Sequence, residues 1–541
     1  MNRLNYIILI ALVLFTFSCK KQLDTINKNE PTLGTLNSES GIKQAAMGVY
    51  GYFVTSDGLF QEGGLLSQNF SWFTMTNHEI MGDAIYCPYG NMGWRWINRP
   101  AAITLDDNTV VNPPSGGDQL TEITRLNSRA QGNDNPMKHE WYSMYVVNNM
   151  ANLVLSTLNT NSVTFSSNSD TKIKTLEAWC YFWKAYAYSR IGSFYNAGVI
   201  TSEYDATNSD YVTHQVMIDT ATALYDKTIA ILNSIPADDN GYNAILSSVI
   251  PSYFYATLPT TAEWIRNINT LKARNILVNM KTKDLTPTDW QNILDLANNG
   301  IQDGDFIFVI VQDPRIINFG SVNYSVTANS SFAFSSERLV EDFKDTVTDL
   351  RFHRYFEPLD PPIVNERGRG IQFGTSFQFI DGSDIASSST FTTYSKPFIY
   401  IGGSYEENEL MKGEANMYLG NVDLGLTSVD NVRDVQTSGL AHVSGTGLTL
   451  AQAKEEFRME RRIGLLLRGL AFYDARRWGV IDPVASGGGR KGCWVLDADG
   501  NFNSNATFDY QYLNYFPVPA NETDLNPPAT GSADTGPLVK K

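Results

Sequence analysis

The stretch TLEAWCYFWKAYAYSRIGSFY, residues 175–195, restricts the fold more than any other part of the chain. Leu176, Trp179, Cys180, Trp183, Ala187 and Ile191 recur at three- and four-residue steps, which places them on one stripe of an α-helix. Small Ala178, Ala185 and Ala187 lie among them and let a neighbouring helix approach closely. A helix with this much aromatic surface needs packed partners, and Cys180 within it reads as a small buried hydrophobe.

The partners are legible too. SESGIKQAAMGVYGYF starts on a serine and repeats Ile42, Ala45, Ala46, Val49 and Phe53. EWYSMYVVNNMANLVLSTL predicts a helix over 140–158, and TATALYDKTIAILNSIP predicts another that Pro236 ends. Nearer the C-terminus, two helices meet at a Gly420-Asn421 turn, and Thr449 with Gln452 forms a capping-box candidate. The fold class is therefore mostly α: helix pairs of this length resemble tetratricopeptide units and build a helical superhelix. Residues 303–400 contain β-like runs such as DFIFVIV and IQFGTSFQF among Gly-, Ser- and Pro-rich segments, and are expected to be long loops and short strands decorating the helical body. With 43% hydrophobic and 18% charged residues in 541, the body is a packed globule and not a disordered chain. A net charge of -16 argues against nucleic acid as a partner.

The N-terminus predicts an address. MNRLNYIILIALVLFTFSC has a basic Arg3, an apolar run from Tyr6 to Phe17, and Ser18 before Cys19. The run is shorter than the roughly 20 residues of a membrane span and fits a signal peptide over 1–18. Cys19 is the expected lipidation site, as in a bacterial lipobox, with 19–39 as a polar tether and the body following from 40 to 541. The membrane is then reached through the lipid anchor only. Of the other cysteines, Cys87 and Cys493 are left as either a disulfide or two free thiols, since no CxxC or metal-ligand spacing is present.

Catalytic signatures are weak. HEIMGD supplies His78, Glu79 and Asp83 but lacks the second histidine of an HExxH zinc site, and a solvated acidic face is the plainer reading of Glu79 and Asp83. GGGRKG at 487–492 lacks the order of a phosphate-cradling loop, and DADGN at 497–501 reads as a hairpin turn in preference to a calcium loop. Glycosidase acids have no local signature, so a surface glycan hydrolase stays as an alternative. No cofactor or metal, and no enzyme activity, is expected.

Several segments in order resemble the SusD/RagB family of outer-membrane nutrient-binding lipoproteins. They are the lipid cysteine followed by LDT, WYSMYVVNNMANLVL, EAWCYFWKAYAYSRIGSFY, EWIRNINTLKARNILVNM, GEANMYLGNVDLGLTSVDNVR, ERRIGLLLRGLAFYDARRWG and YFPVPANETDLNPP. Gly464 and Arg468 depart from the pattern, standing where such proteins usually carry glutamates, and the QNPGY-like tail is missing. The resemblance implies a superhelix with four tetratricopeptide-like pairs, exposed at the cell surface of the outer membrane. It also implies a TonB-dependent SusC-like barrel as partner, and capture of oligosaccharides or, as the alternative, peptides. In that setting the loop CPYGNMGWRWINRP becomes informative. Flat indoles can cover the C–H face of a sugar while polar side chains bind its hydroxyls. Trp94 and Trp96, with Arg95, Asn91, Tyr89, Tyr86, Asp83 and Trp72, are the candidate ligand-binding residues, and one tryptophan of the pair is expected to be buried beneath the loop. Trp141, Trp179, Trp183 and Trp478 are expected in the core.

Overall fold

The computed structural model describes residues 33–51, 68–114, 116–160, 162–250, 258–311, 333–369, 371–380 and 398–537. The predicted signal peptide, Cys19 and the first part of the tether lie outside the described residues. Leu33–Asn37 already forms a helical turn and Ser38 bridges to Thr164, so ordered structure begins ahead of residue 40.

Helices α1 (Glu39–Gly51), α2 (Met75–Met81), α3 (Gln119–Leu126), α4 (Lys138–Asn159) and α5 (Ser169–Phe194) make the first half of the helical body. The predicted stripe of α5 is present, but the helix is buried on nearly every side because α1, α4 and α6 (His214–Asn233) all pack against it. Its polar residues are accordingly satisfied inside the body. Lys184 bonds Asn148 and the carbonyl of Thr201 at 2.8 and 3.0 Å, and Arg190 bonds Glu140 at 2.5 Å. Trp179, Phe182, Trp183, Trp264 and Phe308 form an edge-to-face aromatic cluster, with centroids such as Trp179–Trp183 at 5.6 Å.

The second half continues as α7 (Asn240–Val249), α8 (Thr261–Val278), α9 (Pro287–Asn298), α10 (Tyr405–Tyr418), α11 (Val422–Val435), α12 (Leu450–Gly464) and α13 (Ala471–Arg477). Successive helices pack as pairs, α8 on α9, α9 on α10, α10 on α11 and α11 on α12. Capping boxes open α8 at Thr260/Glu263, α9 at Thr286/Asp289 and α12 at Thr449/Gln452. At the α10–α11 crossing a Cβ on Gly413 would sit 2.7 Å from Ser428, and one on Gly425 2.7 Å from the carbonyl of Gly413. Only glycine permits that approach.

The departures at 464 and 468 are accommodated. Glu460, one turn before Gly464, pairs with Arg351 at 2.6 Å and Arg433 at 2.9 Å, and Arg468 pairs with Glu406 at 3.0 Å.

The expected short strands decorate the helical body, and they extend beyond residues 303–400. Strands β1 (Ala102–Thr104), β2 (Val110–Val111), β3 (Phe356–Ile363), β4 (Phe373–Phe379), β5 (Arg490–Asp497) and β6 (Phe502–Asp509) form one antiparallel sheet in the order β2-β1-β6-β5-β4-β3. Three distant parts of the chain meet in it, which no local pattern announces. Pro358, Pro361 and Pro362 lie in β3, at the sheet edge where a missing N–H is tolerated. The β5–β6 connection is the predicted hairpin turn: Asp497 accepts the N–H groups of Asp499 and Asn501 at 2.9 and 2.8 Å. Cys87, Cys180 and Cys493 are buried, and no disulfide joins Cys87 to Cys493.

Candidate functional site

The HEIMGD segment is consumed by the fold. His78 lies against Phe194 and Tyr473, and its Nε2 is 2.9 Å from Glu140, which also holds Arg190. Burial pushes the His78 pKa down. Glu79 is buried as well, accepting the N–H of Gly469 at 2.7 Å and of Leu467 at 3.3 Å. Desolvation raises its pKa to about 7 in spite of these donors. Asp83, in left-handed backbone at φ 58°, accepts both arms of Arg338 at 2.7 and 2.8 Å and the hydroxyl of Ser336 at 2.8 Å. Burial opposes its charge, but Arg338 beside it, with Arg490 and Arg462, holds the carboxyl below its ordinary range. The solvated acidic face is thus corrected: both acids tie α2 to distant segments. Among the described residues no group of His, Cys, Asp and Glu is arranged to hold a metal ion.

Beyond Asp83 the chain runs through Ile85–Tyr86, which pairs with Phe334–Ser335, and enters the aromatic loop. Asn91–Gly93 is a tight turn with Met92 and Gly93 at positive φ, followed by the helical turn Trp94–Ile97. Two residues apart on that turn, the tryptophans point to different environments. Trp94 has no exposed surface and meets Trp72 and Phe73 edge-on at 5.9 and 6.3 Å. Trp96 is half-buried, with the Arg95 and Arg125 guanidinium carbons 4.5 and 5.2 Å from its ring centre. A Cβ on Gly90 would come within 2.7 Å of its indole, so glycine is needed for the ring to lie there.

The candidate residues therefore divide. Tyr86 and Trp94 have no exposed surface and Trp72 and Asp83 almost none, so in this structure these four candidates are packed into the body. Tyr89, Arg95 and Trp96 are half-buried and Asn91 is exposed. Arg369 lies over Tyr89 at 5.2 Å, and Arg125 is braced by Glu122 at 2.6 Å. Arg125 and Arg369 were not legible in the sequence, because they come from α3 and from the β3–β4 connection. Of the tryptophans expected in the core, Trp141, Trp179 and Trp183 are buried, whereas Trp478 is half-buried and lines a cleft.

No protein-family model matches the chain, and neither does any curated protein. Solved structures do. A SusD-like carbohydrate binding protein from Bacteroides fragilis superposes with a TM-score of 0.56 at 15% identity, over 90% of this chain and 98% of its own. A SusD superfamily protein from Bacteroides vulgatus gives 0.55 at 13% identity, over 91% and 98%. Another from Bacteroides thetaiotaomicron gives 0.53 at 15% identity, over 92% and 98%. The fold is SusD-like, and it extends over nearly the whole chain.

Proposed function

We propose that this chain is a cell-surface lipoprotein that binds oligosaccharides and passes them to a TonB-dependent SusC-like transporter in the outer membrane. The observation that carries the binding role is the half-buried Trp96, with the Arg95 and Arg125 guanidinium groups near its ring, beside Tyr89 and exposed Asn91. An indole covering roughly 80 Å² of apolar sugar surface contributes about 2 kcal/mol. Association costs several kcal/mol in lost freedom, so Trp96 needs the polar contacts that Asn91 and Arg95 supply. The SusD-like fold, shared with a protein described as carbohydrate binding, supports the same reading. Anchoring through Cys19, after removal of 1–18, on a tether that leads to the helical turn Leu33–Asn37, accounts for the N-terminal sequence, and no described helix is long and apolar enough to cross a membrane. The domain arrangement is one body following that tether.

The test is to incubate the soluble body with glycan and peptide panels. Retention of a glycan without turnover is expected, and weaker retention by Trp96→Ala. Release of product identifies a hydrolase, and selective retention of peptides identifies a peptide receptor.

A further inference from the structure

A cleft of about 410 Å³ opens between α10, α12 and the loop after α13, sharing no residue with the Trp96 loop. It is lined by Lys281, Lys283, Lys454, Arg477, Tyr418 and Trp478, an unusual gathering of cations in a chain of net charge -16. Lys281 is neutralised by Asp482, at 2.7 and 2.8 Å. Arg477 has no exposed side-chain surface and pairs with Asp474 and Glu414, both at 2.7 Å, yet its Nη2 has no hydrogen-bond partner. Lys283 and Lys454 have no carboxylate within ion-pair distance among the described residues. Lys454 is held 3.7 Å above the Tyr418 ring, whose other neighbour is Trp290, stacked at 4.3 Å. The half-buried indole of Trp478 supplies an apolar wall.

We propose that this cleft is a second binding site, one that takes an acidic sugar residue by its carboxylate or sulfate group. Two unpaired ammonium groups and an arginine with an unused donor favour an oxyanion. The volume is in the range of small-ligand sites, and an indole wall suits the C–H face of a ring. The glycine-rich 487–489 segment does not bind the anion through its backbone. Gly487, Gly488 and Gly489 donate their N–H groups to Val484, Pro483 and Val480 within the loop. Side chains must therefore meet the charge.

The experiment is calorimetric titration of the full chain carrying Trp96→Ala, so that the loop proposed as the main site does not contribute and its failure is read separately. The probes are trigalacturonate, a sulfated galactose trisaccharide, neutral maltotriose and inorganic sulfate. At least one acidic trisaccharide is expected to bind ten times or more tightly than maltotriose, and the tighter of the two names the anionic group. Lys454→Gln and Lys283→Gln, both changes of accessible side chains, should each weaken binding about fivefold, and 0.5 M salt should weaken it further. Trp478→Ala should weaken the trisaccharide and leave sulfate unchanged. Binding of no acidic probe, equal binding of maltotriose, or indifference to both lysine changes overturns the proposal. Inorganic sulfate bound as tightly as the trisaccharides overturns the assignment to a sugar.

Discussion

Asp83 and Arg338, separated by 255 positions, meet in a buried two-armed ion pair, with Nε 2.7 Å from Oδ2 and Nη2 2.8 Å from Oδ1. Ser336 also donates to the carboxylate, so its lone pairs are well occupied. Asp83→Ala would leave the Arg338 charge buried and uncompensated, at an expected cost of about 3–5 kcal/mol in unfolding free energy. Denaturant unfolding measures it, and a loss below about 1 kcal/mol would show the pair to be dispensable. Because the folded carboxyl is held below its ordinary pKa, this contribution is present above about pH 4 and declines as the pH falls further.

The two loop tryptophans are expected to respond oppositely. Trp94→Ala empties a buried aromatic site and should cost about 3–5 kcal/mol of stability. Trp96→Ala should lower glycan affinity by about 5- to 30-fold, the equivalent of roughly 1–2 kcal/mol, with little change in Tm. Melting and binding measured on both variants separate the roles. Normal binding by a folded Trp96→Ala protein would place recognition elsewhere.

Glu79 predicts a pH dependence of the opposite sense to Asp83. Its folded pKa is raised to about 7 from 4.5, so the folded chain holds a proton that the unfolded chain has released. Stability relative to Glu79→Gln should therefore decline between about pH 4.5 and 7, by on the order of 2–3 kcal/mol in all. Paired unfolding curves at pH 5 and pH 8 provide the comparison, and a pH-independent difference would contradict it.

Cys19→Ala should release the protein from the membrane fraction while leaving its folding unaltered, since the tether precedes the packed body. Metabolic labelling with a lipid precursor tests the attachment directly. Membrane sedimentation of a wild-type protein that takes up no label would refute the lipid anchor.

What the sequence revealed was local. The apolar spacing of α5, the Thr449–Gln452 cap and the Asp497–Asn501 turn each arise from residues within a few positions of one another, and each is found in the structure. The sheet was hidden because its local hairpins are joined only by pairings between remote segments, β6 with β1 and β5 with β4. The same limit governs the loop. Nothing near Asp83 signals Arg338, and nothing near Trp96 signals Arg125 or Arg369. A polar or aromatic residue in an irregular stretch looks alike whether it faces a ligand or a partner hundreds of residues away. Burial decides between them, and burial is a property of the whole chain.

The sheet also sets a clock. Ser504 donates to Asp106 across 398 positions, β6 pairs with β1, and Leu513 bonds the Gln119 side chain that in turn holds Ile97 at the end of the aromatic loop. The loop is thus fastened by residues that leave the ribosome among the last. Contacts so distant must overcome a large closure entropy before they return any stability. A chain that lacks its C-terminal segment cannot finish the surface around Trp96. Maturation of that surface is consequently tied to completion of the chain.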